Sequence, residues 1–92
     1  MSGRVRGKRN IGRVKLYALS TCIWCRKTKA LLDRSGVEYE YVYVDELDAE
    51  GREKAKEEVL RLAGKVSFPT VVVDGTVIVG FRKSELAEAL GL

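Results

Sequence analysis

Histidine is absent from this 92-residue chain, proline occurs once, and cysteine occurs only twice. Without histidine the Cys–His hydrolase mechanism is excluded. Two cysteines and no histidine also fall short of the four ligands that a structural zinc site within one chain requires. No apolar run approaches the roughly 20 residues of a membrane-spanning helix. The basic start of the chain has no apolar segment behind it, so no secretory signal is expected and the expected location is the cytoplasm. No phosphate-cradling glycine pattern occurs, and a bound nucleotide cofactor is not indicated. Repeats, linkers and low-complexity tracts are lacking as well.

What is present is the composition of one soluble domain, with 46% hydrophobic and 33% charged residues. Lysine and arginine number 17 against 13 acids, a formal charge of +4. Residues 1–12 hold Arg4, Arg6, Lys8 and Arg9 without an acid, which leaves residues 13–92 neutral. This first stretch also has three glycines and no periodicity, so it is expected to be a flexible basic arm outside a folded domain spanning 13–92. No aromatic is interleaved with its bases, which argues against a nucleic-acid partner.

Residues 13–19 alternate as a strand, with Val14, Leu16 and Ala18 on one side and Lys15 and Tyr17 on the other. A helical segment follows from Ile23 to a stop at Gly36, with Ser20 and Thr21 as capping candidates. The run VEYEYVYV alternates strictly and predicts a second strand. Asp48 opens a second helix that Gly64 ends. Beyond Pro69, two β-branched runs flank Asp74-Gly75, the signature of a two-residue type I′ hairpin. A short closing helix can set Leu86 and Leu90 against the sheet. The expected fold is α/β in the order β-α-β-α-β-β-α, with one mixed four-stranded sheet flanked by helices.

The two cysteines, Cys22 and Cys25, fall between the first strand and the first helix, where open α/β sheets place their sites. Three residues apart at a helix start, they face the same way and lie within disulfide reach. Cys22 sits where unpaired helix N–H groups and the macrodipole favour a thiolate, so it is the candidate nucleophile. Cys25, one turn inside, is the candidate resolving thiol. A four-residue loop gains little entropy from a disulfide, which makes a redox couple a better reading than a staple. An alternative is an iron–sulfur cluster shared between chains through Cys22. The acids Asp33, Glu38, Asp45 and Glu46 have no evident cleft and read as surface or strand-end residues.

Tyr17 to Cys25 (YALSTCIWC), Ser67-Phe68-Pro69-Thr70, the Asp74-Gly75 hairpin and Gly80 together resemble the glutaredoxin family of the thioredoxin superfamily. The resemblance spans residues 13–92. It implies a thioredoxin-like fold, a cis Pro69 facing the cysteines, and thiol–disulfide exchange. It also implies that the Phe68 backbone pairs with an extended substrate or glutathione, with Thr21, Trp24, Gly80 and Phe81 completing the substrate-binding set. Ile23 stands where the family usually has proline, Leu19 where it commonly has lysine, and Arg82-Lys83-Ser84 near its usual acid. These departures point away from tight glutathione binding, and Gly80-Phe81-Arg82 is similar to the NrdH-redoxins, which a thioredoxin reductase reduces. The resulting expectation is a monomeric dithiol oxidoreductase without bound cofactor or metal. It would act on protein or small-molecule disulfides and draw on a thioredoxin reductase-like flavoprotein, glutathione or another small thiol.

Overall fold

A computed structural model describes residues 2–92. In chain order the strands and helices are β1 (Ser2–Val5), β2 (Val14–Ala18), α1 (Ile23–Ser35), β3 (Tyr39–Tyr43), α2 (Ala49–Ala63), β4 (Thr70–Val73), β5 (Thr76–Val79) and α3 (Lys83–Ala89). A 3₁₀ turn, Val44–Glu46, links β3 to α2.

The sheet runs β1-β3-β2-β4-β5. Strands β2 and β3 are parallel, with Leu16 beside Tyr41, whereas β4 and β5 pair antiparallel as the expected hairpin. Asp74 (φ 46°) and Gly75 (φ 93°) both have positive φ, as a type I′ turn demands. Alternation places each face of the sheet under its own helices. Val14, Leu16, Ala18, Val37 and Tyr39 meet Leu31 and Leu32 of α1 and Leu86 and Leu90 of the C-terminal segment. On the opposite face Tyr17, Val42 and Val44 meet Ala55 and Val59 of α2.

The four-stranded expectation is corrected to five strands, because β1 lies within the segment read as a detached arm. Its residues pair antiparallel with β3, Arg4 opposite Glu40 and Val5 opposite Tyr39. The Arg4 guanidinium contacts Glu38 at 2.7 Å and Glu40 at 3.7 Å. Further along, the Arg9 N–H donates to Gly36 O at 3.1 Å and the Glu38 N–H to Arg9 O at 2.9 Å. The physical reason is that β3 offers a free edge lined with acids, which a basic segment without periodicity of its own can satisfy. Met1, the first residue of the predicted arm, lies outside the described residues.

Candidate functional site

The C-terminal end of β2 delivers the chain into the loop Leu19–Thr21 and then into α1. The residue capping that helix is Cys22 itself, not Ser20 or Thr21. Its backbone is extended (φ −86°, ψ 119°), and its Sγ accepts the Cys25 N–H at 3.3 Å. A thiol in the capping position is thus aimed at the helix's unpaired N–H groups. Both cysteines are free thiols, Cys22 partly exposed and Cys25 buried. Cys25 Sγ in turn accepts the Leu19 N–H at 3.5 Å.

These surroundings drive the two thiols apart. Burial works against ionising Cys22, but hydrogen bonds from the Cys25 thiol and from the N–H groups of Cys25 and Trp24 outweigh it and hold Cys22 below its ordinary value. Burial pushes Cys25 up, and the Cys22 thiol and the nearby Asp45 carboxylate add to the rise. The two thiols are therefore distinguished by environment, through the hydrogen-bond donors at Cys22 and the burial of Cys25, with no part played by Arg26 or Lys27. The Arg26 guanidinium instead donates to Ser20 O at 3.3 Å, and Lys27 Nζ stands 4.7 Å over the Trp24 ring.

Asp45 is a residue that sequence reasoning left on the surface. It is exposed, yet its carboxylate accepts both the backbone N–H (2.8 Å) and the hydroxyl of Ser20. Those hydrogen bonds hold the carboxyl below the usual range. The loop ahead of Cys22 is thereby pinned from the 3₁₀ turn that follows β3. No local pattern could disclose this contact, since 25 residues separate the two partners.

The Phe68–Pro69 peptide is cis, as the resemblance implied. Gly80, with φ 84°, donates its N–H to Pro69 O at 2.8 Å and ties the end of the hairpin to this loop. Trp24, Phe68, Pro69, Gly80 and Phe81 together line a groove of about 270 Å³ beside the cysteines. Trp24 and Phe81 stack with ring centroids 6.0 Å apart and planes 26° from parallel. Five of the six residues named for substrate binding thus converge. Thr21 stands apart from the groove lining, exposed on the preceding loop. Among the described residues nothing hydrogen-bonds to the Phe68 backbone, and no three Cys, Asp or Glu side chains gather as a metal-ligand set.

Comparison with known proteins agrees with this geometry. The glutaredoxin family model matches residues 14–78. A glutaredoxin-like 8.6 kDa protein of the rubredoxin operon of Clostridium pasteurianum is 35% identical over 74 residues, covering 79% of this chain and 91% of the relative. The crystal structure of a glutaredoxin from Methanosarcina mazei Go1 superposes with a TM-score of 0.89 at 47% identity, covering 99% of this chain and 88% of the other. That of Methanosarcina acetivorans methanoredoxin gives 0.86 at 45% identity, over 90% and 88%. The cysteine pair, the cis-proline loop and these matches agree: the chain belongs to the glutaredoxin family of the thioredoxin superfamily and is a thiol–disulfide oxidoreductase.

Proposed function

We propose that the chain reduces protein and small-molecule disulfides by a dithiol mechanism in which Cys22 attacks and Cys25 resolves. The observation that carries this reading is the division of the pair into a partly exposed thiol held toward ionisation and a buried thiol held neutral. The Cys22 thiolate attacks one sulfur of the substrate disulfide, forming a mixed disulfide and expelling the other sulfur as a thiolate, which takes a proton from water. Cys25 then gives up its proton and attacks the Cys22 sulfur. The second substrate sulfur leaves as a thiol, and the two electrons gained by the substrate remain accounted for as the Cys22–Cys25 disulfide. Mixed-disulfide formation also helps the second step. It removes the Cys22 charge that opposes ionisation of Cys25.

The reductant that restores the dithiol is a thioredoxin reductase-like flavoprotein or a small thiol such as glutathione. The groove at Phe68 and Pro69, where the Phe68 backbone has no hydrogen-bond partner among the described residues, is the surface on which an extended substrate or glutathione would lie. A reducing cytoplasm and a monomeric state suit this cycle, and no described helix is long and apolar enough to cross a membrane. The cluster-carrier alternative would rest on Cys22 alone, because Cys25 is buried. A colourless monomer after anaerobic reconstitution with iron and sulfide would eliminate it.

The test uses two variants and two donors. Cys25→Ser is expected to accumulate covalent mixed disulfides through Cys22, and Cys22→Ser to be inactive, as read by non-reducing mass spectrometry. Normal turnover by Cys22→Ser would sink the assignment of roles. Wild-type turnover with NADPH and thioredoxin reductase, set against NADPH with glutathione and its reductase, identifies the donor.

A further inference from the structure

Resting on the dithiol reading, we propose that the redox groove selects disulfides carried on acidic polypeptide segments, an apolar side chain docking on Trp24 and Phe81 while carboxylates meet Lys27, Arg82 and Lys83 at the rim.

The apolar part of the surface is unusual for its position. Ile23 is 62% exposed and Trp24 52% exposed, immediately beside the attacking cysteine. Trp24 stacks on Phe81 across the groove and carries Lys27 Nζ 4.7 Å from its ring, so exposed aromatic surface and a cation stand side by side. Rigid aromatic surface next to a pocket is the usual anchor of a protein interface.

The charge at the rim then states what kind of partner fits. The two segments that carry the aromatic walls, residues 23–27 and 80–85, contribute Arg26, Lys27, Arg82 and Lys83 against the single acid Glu85. Elsewhere on the surface some cations lie beside acids of their own chain. Arg4 has Glu38, Lys29 has Asp33, and Lys54 has Glu50. What sets the groove apart is the local excess of cations, which its own acid cannot neutralise. Lys27 sits over an aromatic ring instead of a carboxylate, and Lys83 has no ion pair among the described residues. Arg82 reaches Glu85 only at 3.9 Å and turns its Nε to Val79 O at 3.1 Å. The other nearby carboxylate, Asp45, is committed to Ser20.

An incoming carboxylate can therefore pair with Lys27 or Lys83 without breaking an existing ion pair, whereas a basic segment meets uncompensated like charge. Such complementarity acts chiefly on encounter and partner choice and is weakened by salt. Two to three exposed pairs together correspond to about tenfold in kcat/KM at low ionic strength.

The experiment uses the full chain with three reporters: a neutral small disulfide (bis(2-hydroxyethyl) disulfide), and two disulfide peptides of equal length and equal apolar content, one flanked by aspartate and glutamate, the other by lysine. The expected result is about a tenfold preference in kcat/KM for the acidic peptide at low salt, shrinking as salt rises. In the double variant Lys27→Glu/Lys83→Glu the acidic-to-basic ratio is expected to fall below one. Because the readout is a ratio within each protein, altered folding or general activity does not mimic it. Equal use of both peptides by wild type, or a ratio unmoved by the double variant, overturns the proposal. Failure of wild type to reduce even the neutral disulfide would overturn the dithiol reading beneath it, an outcome separate from loss of selectivity.

Discussion

Cys22 and Cys25 differ in environment because one caps a helix and the other lies a turn beneath it, and each shapes the other's ionisation. The donors that hold Cys22 below its ordinary value include the Cys25 thiol as well as two backbone N–H groups. Removing that thiol while keeping the backbone should therefore raise Cys22 part of the way toward its ordinary 9.0. The expected outcome for Cys25→Ala is that the pH midpoint of Cys22 alkylation by iodoacetamide moves upward relative to wild type, with the rate at neutral pH falling accordingly. An unchanged midpoint would mean that the N–H groups alone set the thiolate. At this scale the cysteine pair was legible in the sequence because its determinants are local: a strand end, a helix start, and a three-residue spacing. The capping identity was not, since Ser20 and Thr21 are the commoner capping residues and only the backbone course shows that Cys22 takes the position. Asp45 was not legible either, because its partner comes from another part of the chain.

Edges decide what the segment before β2 does. A strand with alternating charge and glycine has little apolar surface of its own, and Gly3, Arg4 and Val5 become a strand only because the outer edge of β3 is available to them. Gly7 then runs so close to the end of α1 that a Cβ would stand 2.2 Å from Gly36 O and 2.6 Å from Val37 C. Arg9 completes the junction, its guanidinium donating to Ser35 O at 3.3 Å and Leu90 O at 2.8 Å, the carbonyl ends of two helices. A cation there satisfies orphan carbonyls and complements the helix dipoles. The +4 charge that suggested a free basic arm is thus partly spent inside the fold, on Glu38, Glu40 and helix termini. By contrast β3, α2 and the hairpin were legible, since their periodicity and turn residues are contiguous. Arg9→Ala is expected to lower stability by about 1–2 kcal/mol in urea unfolding. Gly7→Ala should displace the segment and strip protection from the Glu38 amide, which donates to Arg9 O, while the amides of β2 stay protected in hydrogen exchange. Unaltered protection of Glu38 would show that the contact contributes nothing to holding β1.

For the molecule as a whole, three buried acids set an upper pH limit. Burial and the neighbouring Glu58 push the Tyr17 hydroxyl up to about 12. Burial, with the Asp33 carboxylate accepting its hydrogen bond, pushes Tyr39 up further, and burial raises Cys25. Each group holds its proton more tightly when folded than when unfolded. Its contribution is therefore fully present below the unfolded value and is lost as pH rises through the folded one. The ordinary values are 9.0 for the thiol and 10.0 for the phenols, so the decline begins near pH 9 with Cys25 and steepens beyond 10 with the tyrosines. Once the unfolded form is ionised and the folded form is not, each group costs about 1.4 kcal/mol per pH unit. Cys22 runs the other way, its folded value being depressed, but its gain is complete once pH reaches the ordinary 9.0 and does not offset the fall above it. In the Cys22–Cys25 disulfide neither thiol titrates, so the oxidised protein should resist alkali about one pH unit further than the reduced protein. Urea unfolding of both redox forms between pH 8 and 11 measures this. The expected outcome is a decline starting near pH 9 for the reduced form and near pH 10 for the oxidised form, with a shallower limb above 10 in Tyr39→Phe. A common onset in the two redox forms would rule out Cys25 as a contributor, and a flat profile through pH 11 would rule out all three.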